Sequence, residues 1–200
     1  MFIQVMEGRV GNREGLLAQF AAWMNDLKPG AGGWLGTTAG AAADGTFIAV
    51  TRFESQEAAR TNSDRPEQGA WWEKTAATFE GDVTFTDCPD VDTFGAGGSD
   101  DAGFVQIMIG HADRAAILPL ADELDAVLRR MRPDVIGGTA AWPGDGTFVQ
   151  TVYFTSEGEA RANESAAPMS DQDRAEAERI LSMMQVDRYI DLADPMLYSR

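Results

Sequence analysis

The side chains of this chain that could bind or move protons in apolar surroundings come largely in pairs. Gln4 stands in Phe2-Ile3-Gln4-Val5-Met6, and Gln106 in Phe104-Val105-Gln106-Ile107-Met108. An amide on such a run must find partners once buried, or it costs roughly 1–3 kcal/mol. Each Gln is therefore either a satisfied structural residue or a pocket group aimed at a ligand. Asn62 and Asn163 also recur at matching places. Helix capping accounts for them, and a hydrogen bond to a ligand carbonyl or to oxygen is the sharper alternative. Trp71-Trp72 has no counterpart pair. Core packing alone accounts for the pair; the sharper alternative is that neighbours on a helix point about 100° apart, so one ring can join a core while the other lines a cleft. Tyr189 is a further aromatic candidate for a ligand wall, on a strand.

His111 is the only histidine. A lone His at a strand end reads as a surface or capping residue. As a general base it would suit a phenol near neutral pH, which makes it the one catalytic candidate. With no second His, His-based metal sites are excluded, and Cys88, the only cysteine, permits neither an internal disulfide nor a thiolate cluster. Asp87, Asp90 and Asp92 lack the Gly and distal Glu of a calcium loop, so no metal is expected. Gly30-Ala31-Gly32-Gly33 follows a helix instead of joining strand to helix, which fails the context of a dinucleotide motif. No Gly-x-Ser-x-Gly elbow is present.

These residues recur because the chain is written twice. Asp44-Gly45-Thr46-Phe47 returns as Asp145-Gly146-Thr147-Phe148, and Ala59-Arg60-Thr61-Asn62 as Ala160-Arg161-Ala162-Asn163. A repeat of this length has the size of a small domain and exceeds a solenoid unit. The expected division is residues 1–94, a Gly/Ser/Asp linker over 95–102, and residues 103–200. Each half opens on an apolar strand. Leu16, Phe20, Trp23 and Leu27 then recur at helical spacing, as do Ile117, Ala121, Leu124 and Leu128. Gly-rich second strands follow, over 34–40 and 135–142. Asp44-Gly45 and Asp145-Gly146 are hairpin signals before strands 46–53 and 147–154. Ser55 and Ser156 read as N-caps. A second helical piece is expected over 67–79 and 170–184, and closing strands over 82–86 and 185–190. The order is β-α-β-β-α-β twice, the ferredoxin-like plan. Strands one and three are apolar at both parities, so the two sheets are expected to pack against each other within one chain.

Net charge is −16. That field repels phosphate backbones and anionic surfaces, so neither nucleic acid nor membrane is an expected partner. No apolar run reaches the roughly 20 residues of a membrane span, and no leader pattern precedes Phe2. A cytoplasmic location is the expectation.

At this level the chain resembles the dimeric α+β barrel superfamily, in its antibiotic-biosynthesis-monooxygenase-like branch. The β-α-β-β-α-β order, the Asp-Gly hairpin and the junctions Phe53-Glu54-Ser55-Gln56-Glu57-Ala58 and Phe154-Thr155-Ser156 carry the likeness. The resemblance implies an α+β fold in which a fused pair forms an intramolecular barrel, a one-chain pseudo-dimer open to further homo-oligomer formation. It implies cofactor-independent oxidation of an aromatic or polyketide-like ligand, with no cofactor. Gln4, Asn62, Trp71, Trp72, Gln106, Asn163 and Tyr189 would then contact the ligand. The haem-degrading relatives need a His that falls near Trp71 here, which disfavours that activity; haem bound through His111 remains a separate expectation. The competing reading is a non-catalytic ligand-binding or stress-associated module that keeps the barrel without activity.

Overall fold

The computed structural model describes residues 1–166, 170, 175, 178–179 and 182–200. The first half runs β1 (Phe2–Val10), α1 (Arg13–Ala22), β2 (Trp34–Ala41), β3 (Thr46–Phe53), α2 (Gln56–Ser63), α3 (Pro66–Ala76) and β4 (Phe79–Cys88). A short β5 (Asp90–Gly95) leads into the second half: β6 (Phe104–Ala112), α4 (Arg114–Ile117), α5 (Ala121–Met131), β7 (Val135–Trp142), β8 (Thr147–Phe154), α6 (Glu157–Ala166), β9 (Met184–Leu192) and β10 (Met196–Ser199). The helix expected over 170–184 falls mostly outside the described residues, and Met184 at its end opens β9.

Local chemistry accounts for most boundaries. The Asp44 and Asp145 carboxylates accept the backbone N–H of Thr46 and Thr147 at 2.8 and 3.0 Å. Gly45 and Gly146 supply the positive φ of 88° and 85° that these hairpins need. Ser55 and Ser156 cap their helices by accepting from the N–H of Ala58 and Glu159. Two helices depart from expectation. After α1 the chain widens into a π turn, Trp23–Leu27, before a 3₁₀ turn at Lys28–Gly30. In the second half Pro119 interrupts the expected helix with a 3₁₀ turn at Leu118–Leu120. Ala121 of the expected stripe is consequently exposed, and Val127 is the buried residue of α5.

Two five-stranded sheets result, in the orders β10-β2-β3-β1-β4 and β5-β7-β8-β6-β9. Each holds the four-strand ferredoxin-like order plus one strand from beyond the repeat. The compact units are accordingly 1–90 with 196–200, and 91–195. These limits depart from the expected 1–94 and 103–200 because each half sends its final strand to the other unit's sheet. Gly95, expected in the linker, closes β5.

Two glycines make the exchange possible. Gly36 and Gly137 sit at matching register shifts, opposite Arg52 and Tyr153. A Cβ on Gly36 would lie 2.6 Å from the Tyr198 carbonyl oxygen, and one on Gly137 would lie 2.8 Å from that of Phe94. The Gly-rich second strands are thus the ones against which the added strand lies.

In the first unit, Met6, Phe47, Ala49 and Ala39 of the sheet pack with Leu16 and Phe20 of α1. Phe2, Phe53 and Trp34 pack with Trp23, Leu27 and Ala59. The opposite parity is also buried, with Ile3, Val5, Ile48 and Val50 between 0% and 4% exposed. Both faces of β1 and β3 are therefore dry, as their continuous apolar runs require.

Candidate functional site

The first unit holds a cavity of about 330 Å³ between the helix-bearing face of its sheet and the layer above. Its floor includes Gln4, Met6, Thr51 and Phe53, with Phe85 and Tyr198 from the flanking strands. Phe20, Trp23 and Met24 enter from α1 and its π turn, and Asn62, Gly69, Trp71 and Trp72 from α2 and α3. Extra residues in a π turn rotate the side chains that follow, a device common at functional sites. Here it sets Trp23 against Trp34, with ring centroids 5.2 Å apart.

Hydrogen bonds lock the aromatic wall. Trp23 Nε1 donates to Gln68 Oε1 at 2.8 Å, and Trp71 Nε1 to the Gln19 carbonyl at 2.8 Å. Trp71 stands edge-on to Phe20 at 6.1 Å, and Trp72 edge-on to Phe85 at 5.0 Å. Trp71 and Trp72, both candidates from the sequence, both line the cavity. Trp71 ties α3 to α1, and Trp72 pairs with an otherwise exposed Phe85.

The polar groups are few and held from behind. Gln4 donates its amide N–H to Asp87 Oδ1 at 2.9 Å. Asn62, only 6% exposed, accepts from Arg65 Nη1 at 3.0 Å, and the same nitrogen donates to the Leu27 carbonyl at 3.1 Å. Asn62 therefore anchors the Arg65 guanidinium that closes the end of the π turn. Among the described residues, no hydrogen bond is made by the Gln4 carbonyl oxygen or the Asn62 amide nitrogen. Tyr198 is the one titratable residue among the described residues lining the cavity, and burial holds its phenol above the usual range. A ligand here meets aromatic faces and neutral hydrogen-bonding groups, with no carboxylate, imidazole or amine among the described lining residues.

The remaining sequence candidates belong to the other unit. Gln106 repeats the strand-one arrangement by donating to Asp191 Oδ1 at 2.9 Å. That carboxylate also pairs with Arg161, whose guanidinium lies 5.0 Å over the Phe104 ring. Arg60, the counterpart of Arg161, instead pairs with exposed Glu57. Asn163 lies on α6, half-buried. Tyr189 is 59% exposed on β9. His111 has a largely exposed side chain whose Nδ1 lies 2.9 Å from Asp187 Oδ2. The structure thus brings Gln4, Asn62, Trp71 and Trp72 together, and leaves Gln106, Asn163, Tyr189 and His111 outside this cavity. The sequence reading missed Trp23, Met24, Phe85 and Tyr198. Phe85 alternates with polar residues on β4, and Tyr198 lies beyond the closing strand expected over 185–190.

Among the described residues, no cluster of three His, Cys, Asp or Glu could hold a metal ion, and no helix is long and apolar enough to cross a membrane.

No protein-family model and no curated protein matches the chain. Solved structures do. A candidate monooxygenase from Lactobacillus acidophilus NCFM matches with a TM-score of 0.69 at 8% identity, over 99% of both chains. One from Fusobacterium nucleatum matches with 0.67 at 10% identity, over 100% of this chain and 97% of its own. An anthrone oxidase-like protein matches with 0.60 at 9% identity, over 98% and 92%. At these identities the likeness is one of fold. The chain shares the fold of these proteins, with two ferredoxin-like sheets in succession along one polypeptide.

Proposed function

We propose that the first unit binds a planar aromatic or polyketide-like molecule and promotes its oxidation by oxygen without a cofactor. The observation that carries this reading is the cavity itself: an aromatic wall of Phe20, Trp71 and Trp72 around neutral hydrogen-bonding groups. A flat ring system gains most from such a wall, through burial and edge contacts of about 0.5–1.5 kcal/mol per aromatic pair. The full-length likeness to an anthrone oxidase-like protein supports a tricyclic ketone as the ligand class.

The neutral lining shapes the chemistry. Among the described residues no strong base lines the cavity, which suits a ligand that brings its own acidity, as an anthrone does at the carbon between its rings. The overall conversion is anthrone plus O₂ to anthraquinone plus water, with one oxygen atom entering the ring carbon and the other leaving as water. The chain's part is to exclude bulk water, hold the ring flat, and supply hydrogen bonds to the oxygen that carries enolate charge. The Asn62 amide nitrogen is suited to that last role.

Oxygen uptake on mixing the protein with anthrone tests the proposal. The expected result is one O₂ consumed per anthrone, with Trp72→Ala slower by about tenfold if it loses an aromatic contact of the magnitude above. Uptake no faster than in buffer contradicts it. The same neutral lining favours a second reading, a binding module without catalysis. Tryptophan quenching by anthraquinone without oxygen uptake from anthrone would select it.

A further inference from the structure

The last strand of the chain brings to the cavity a group that the repeat itself does not supply. β10 pairs with β2 in the register Met196↔Ala39, Leu197↔Thr38, Tyr198↔Thr37. Its end is pinned by Lys28 Nζ donating to the Ser199 carbonyl at 2.9 Å, and by Arg200 Nη1 to Glu54 Oε1 at 2.7 Å. The Tyr198 ring packs against both cores of the first unit and lines the cavity. Among the described residues, its hydroxyl makes no hydrogen bond. Tyr198 is half-buried and its hydroxyl is not enclosed, so it can meet a ligand oxygen without breaking an internal hydrogen bond.

The second unit provides an internal comparison. Phe94 on β5 stands where Tyr198 stands on β10, since each carbonyl oxygen lies within 2.8 Å of a Cβ built on its matching bulge glycine. Ring packing is satisfied by Phe at this place. The hydroxyl is the added feature, and it occurs in the unit whose aromatic cavity is described.

We propose that the Tyr198 hydroxyl is a ligand-binding group that donates a hydrogen bond to the ketone or quinone oxygen of a planar aromatic ligand in this cavity. This rests on the pocket reading above and narrows its ligand class to oxygenated ring systems. The Asn62 amide nitrogen offers a second donor, and the Gln4 carbonyl oxygen an acceptor for a ligand hydroxyl. Burial raises the Tyr198 phenol, which keeps its proton in place for donation at neutral pH.

The test compares two probes of one outline, anthraquinone and anthracene, against the intact chain and Tyr198→Phe, followed by quenching of tryptophan emission. The substitution keeps the ring and the strand pairing. The expected result is a loss of about three- to tenfold for anthraquinone, the value of one neutral hydrogen bond, with anthracene unchanged. Equal affinity of both proteins for anthraquinone overturns the proposal. So does a parallel loss for both probes, which would mark a packing role. Quenching of the intact protein by neither probe removes the pocket reading, and this inference with it.

Discussion

Gln4 donates its side-chain N–H to Asp87 at 2.9 Å across β1 and β4, directly opposite it in register. The arrangement recurs as Gln106 with Asp191, also at 2.9 Å and also directly opposite. A duplicated pair of this kind positions an amide. With its nitrogen engaged, the Gln4 side chain is turned so that its oxygen is the group left for a ligand. Asp87 is exposed, so the bond adds little to stability. Gln4→Leu should therefore leave the melting temperature within about 3 °C while weakening binding of 2-hydroxyanthraquinone, whose hydroxyl is free to donate, several-fold. Differential scanning fluorimetry beside a quenching titration checks both halves of this prediction.

Gly69 is the fourth residue of α3, lines the cavity, and has nothing within 4 Å of a Cβ built on it. A glycine in a helix interior costs about 1 kcal/mol relative to Ala. Gly69→Ala should stabilise the protein by up to that amount. Gly69→Met should instead fill space that a ligand needs, lowering affinity at least tenfold without loss of stability. Chemical denaturation and titration of the two variants measure these separately.

The exchanged strand depends on Gly36. A Cβ there would meet the Tyr198 carbonyl at 2.6 Å and the Arg52 guanidinium at 2.3 Å. Gly36→Ala should push β10 away, costing about 1–3 kcal/mol and opening the C-terminal strand to protease. Limited proteolysis followed by mass spectrometry should find cleavage near Pro195 in the variant and not in the parent.

Asp92, on the other exchanged strand, accepts from Arg114 Nε at 2.9 Å and Nη2 at 2.8 Å, and from Trp142 Nε1 at 2.8 Å. The Arg114 hydrogen bonds, with the indole adding to them, hold its carboxyl below the ordinary aspartate value of 3.8. A carboxyl depressed in the folded state favours folding above its unfolded value. That contribution is lost as pH falls through the folded value. Asp92→Asn should therefore destabilise by about 1 kcal/mol at pH 7, a partly exposed ion pair being worth no more. The gap between variant and parent should close as the pH is taken below about 4. Urea unfolding at pH 7 and at pH 3 reads the difference.

The parts of the fold legible in the sequence are those set by local chemistry. Asp-Gly hairpins, serine caps and apolar runs act within a few residues, and the repeat shows each of them twice. The exchange of β5 and β10 is non-local. Asp90–Gly95 carries two aspartates and a threonine, and Met196–Ser199 follows a proline, so neither reads as a strand in its own neighbourhood. Only the matching glycines at 36 and 137 register that another backbone approaches there. The π turn at Trp23–Leu27 is equally hidden, because its apolar spacing fits an ordinary helix. Of the site, Gln4, Asn62 and the Trp71-Trp72 pair stand out by composition. Tyr198 does not, since its place depends on the exchange.

The central claim is that the first unit's cavity is where an oxygenated aromatic molecule binds, and the most direct measurement is a crystal structure with 1-hydroxyanthraquinone. The account predicts planar density between Trp72 and the sheet floor, with one ligand oxygen within hydrogen-bond distance of the Tyr198 hydroxyl. Density elsewhere on the chain, with this cavity holding only water, would contradict it.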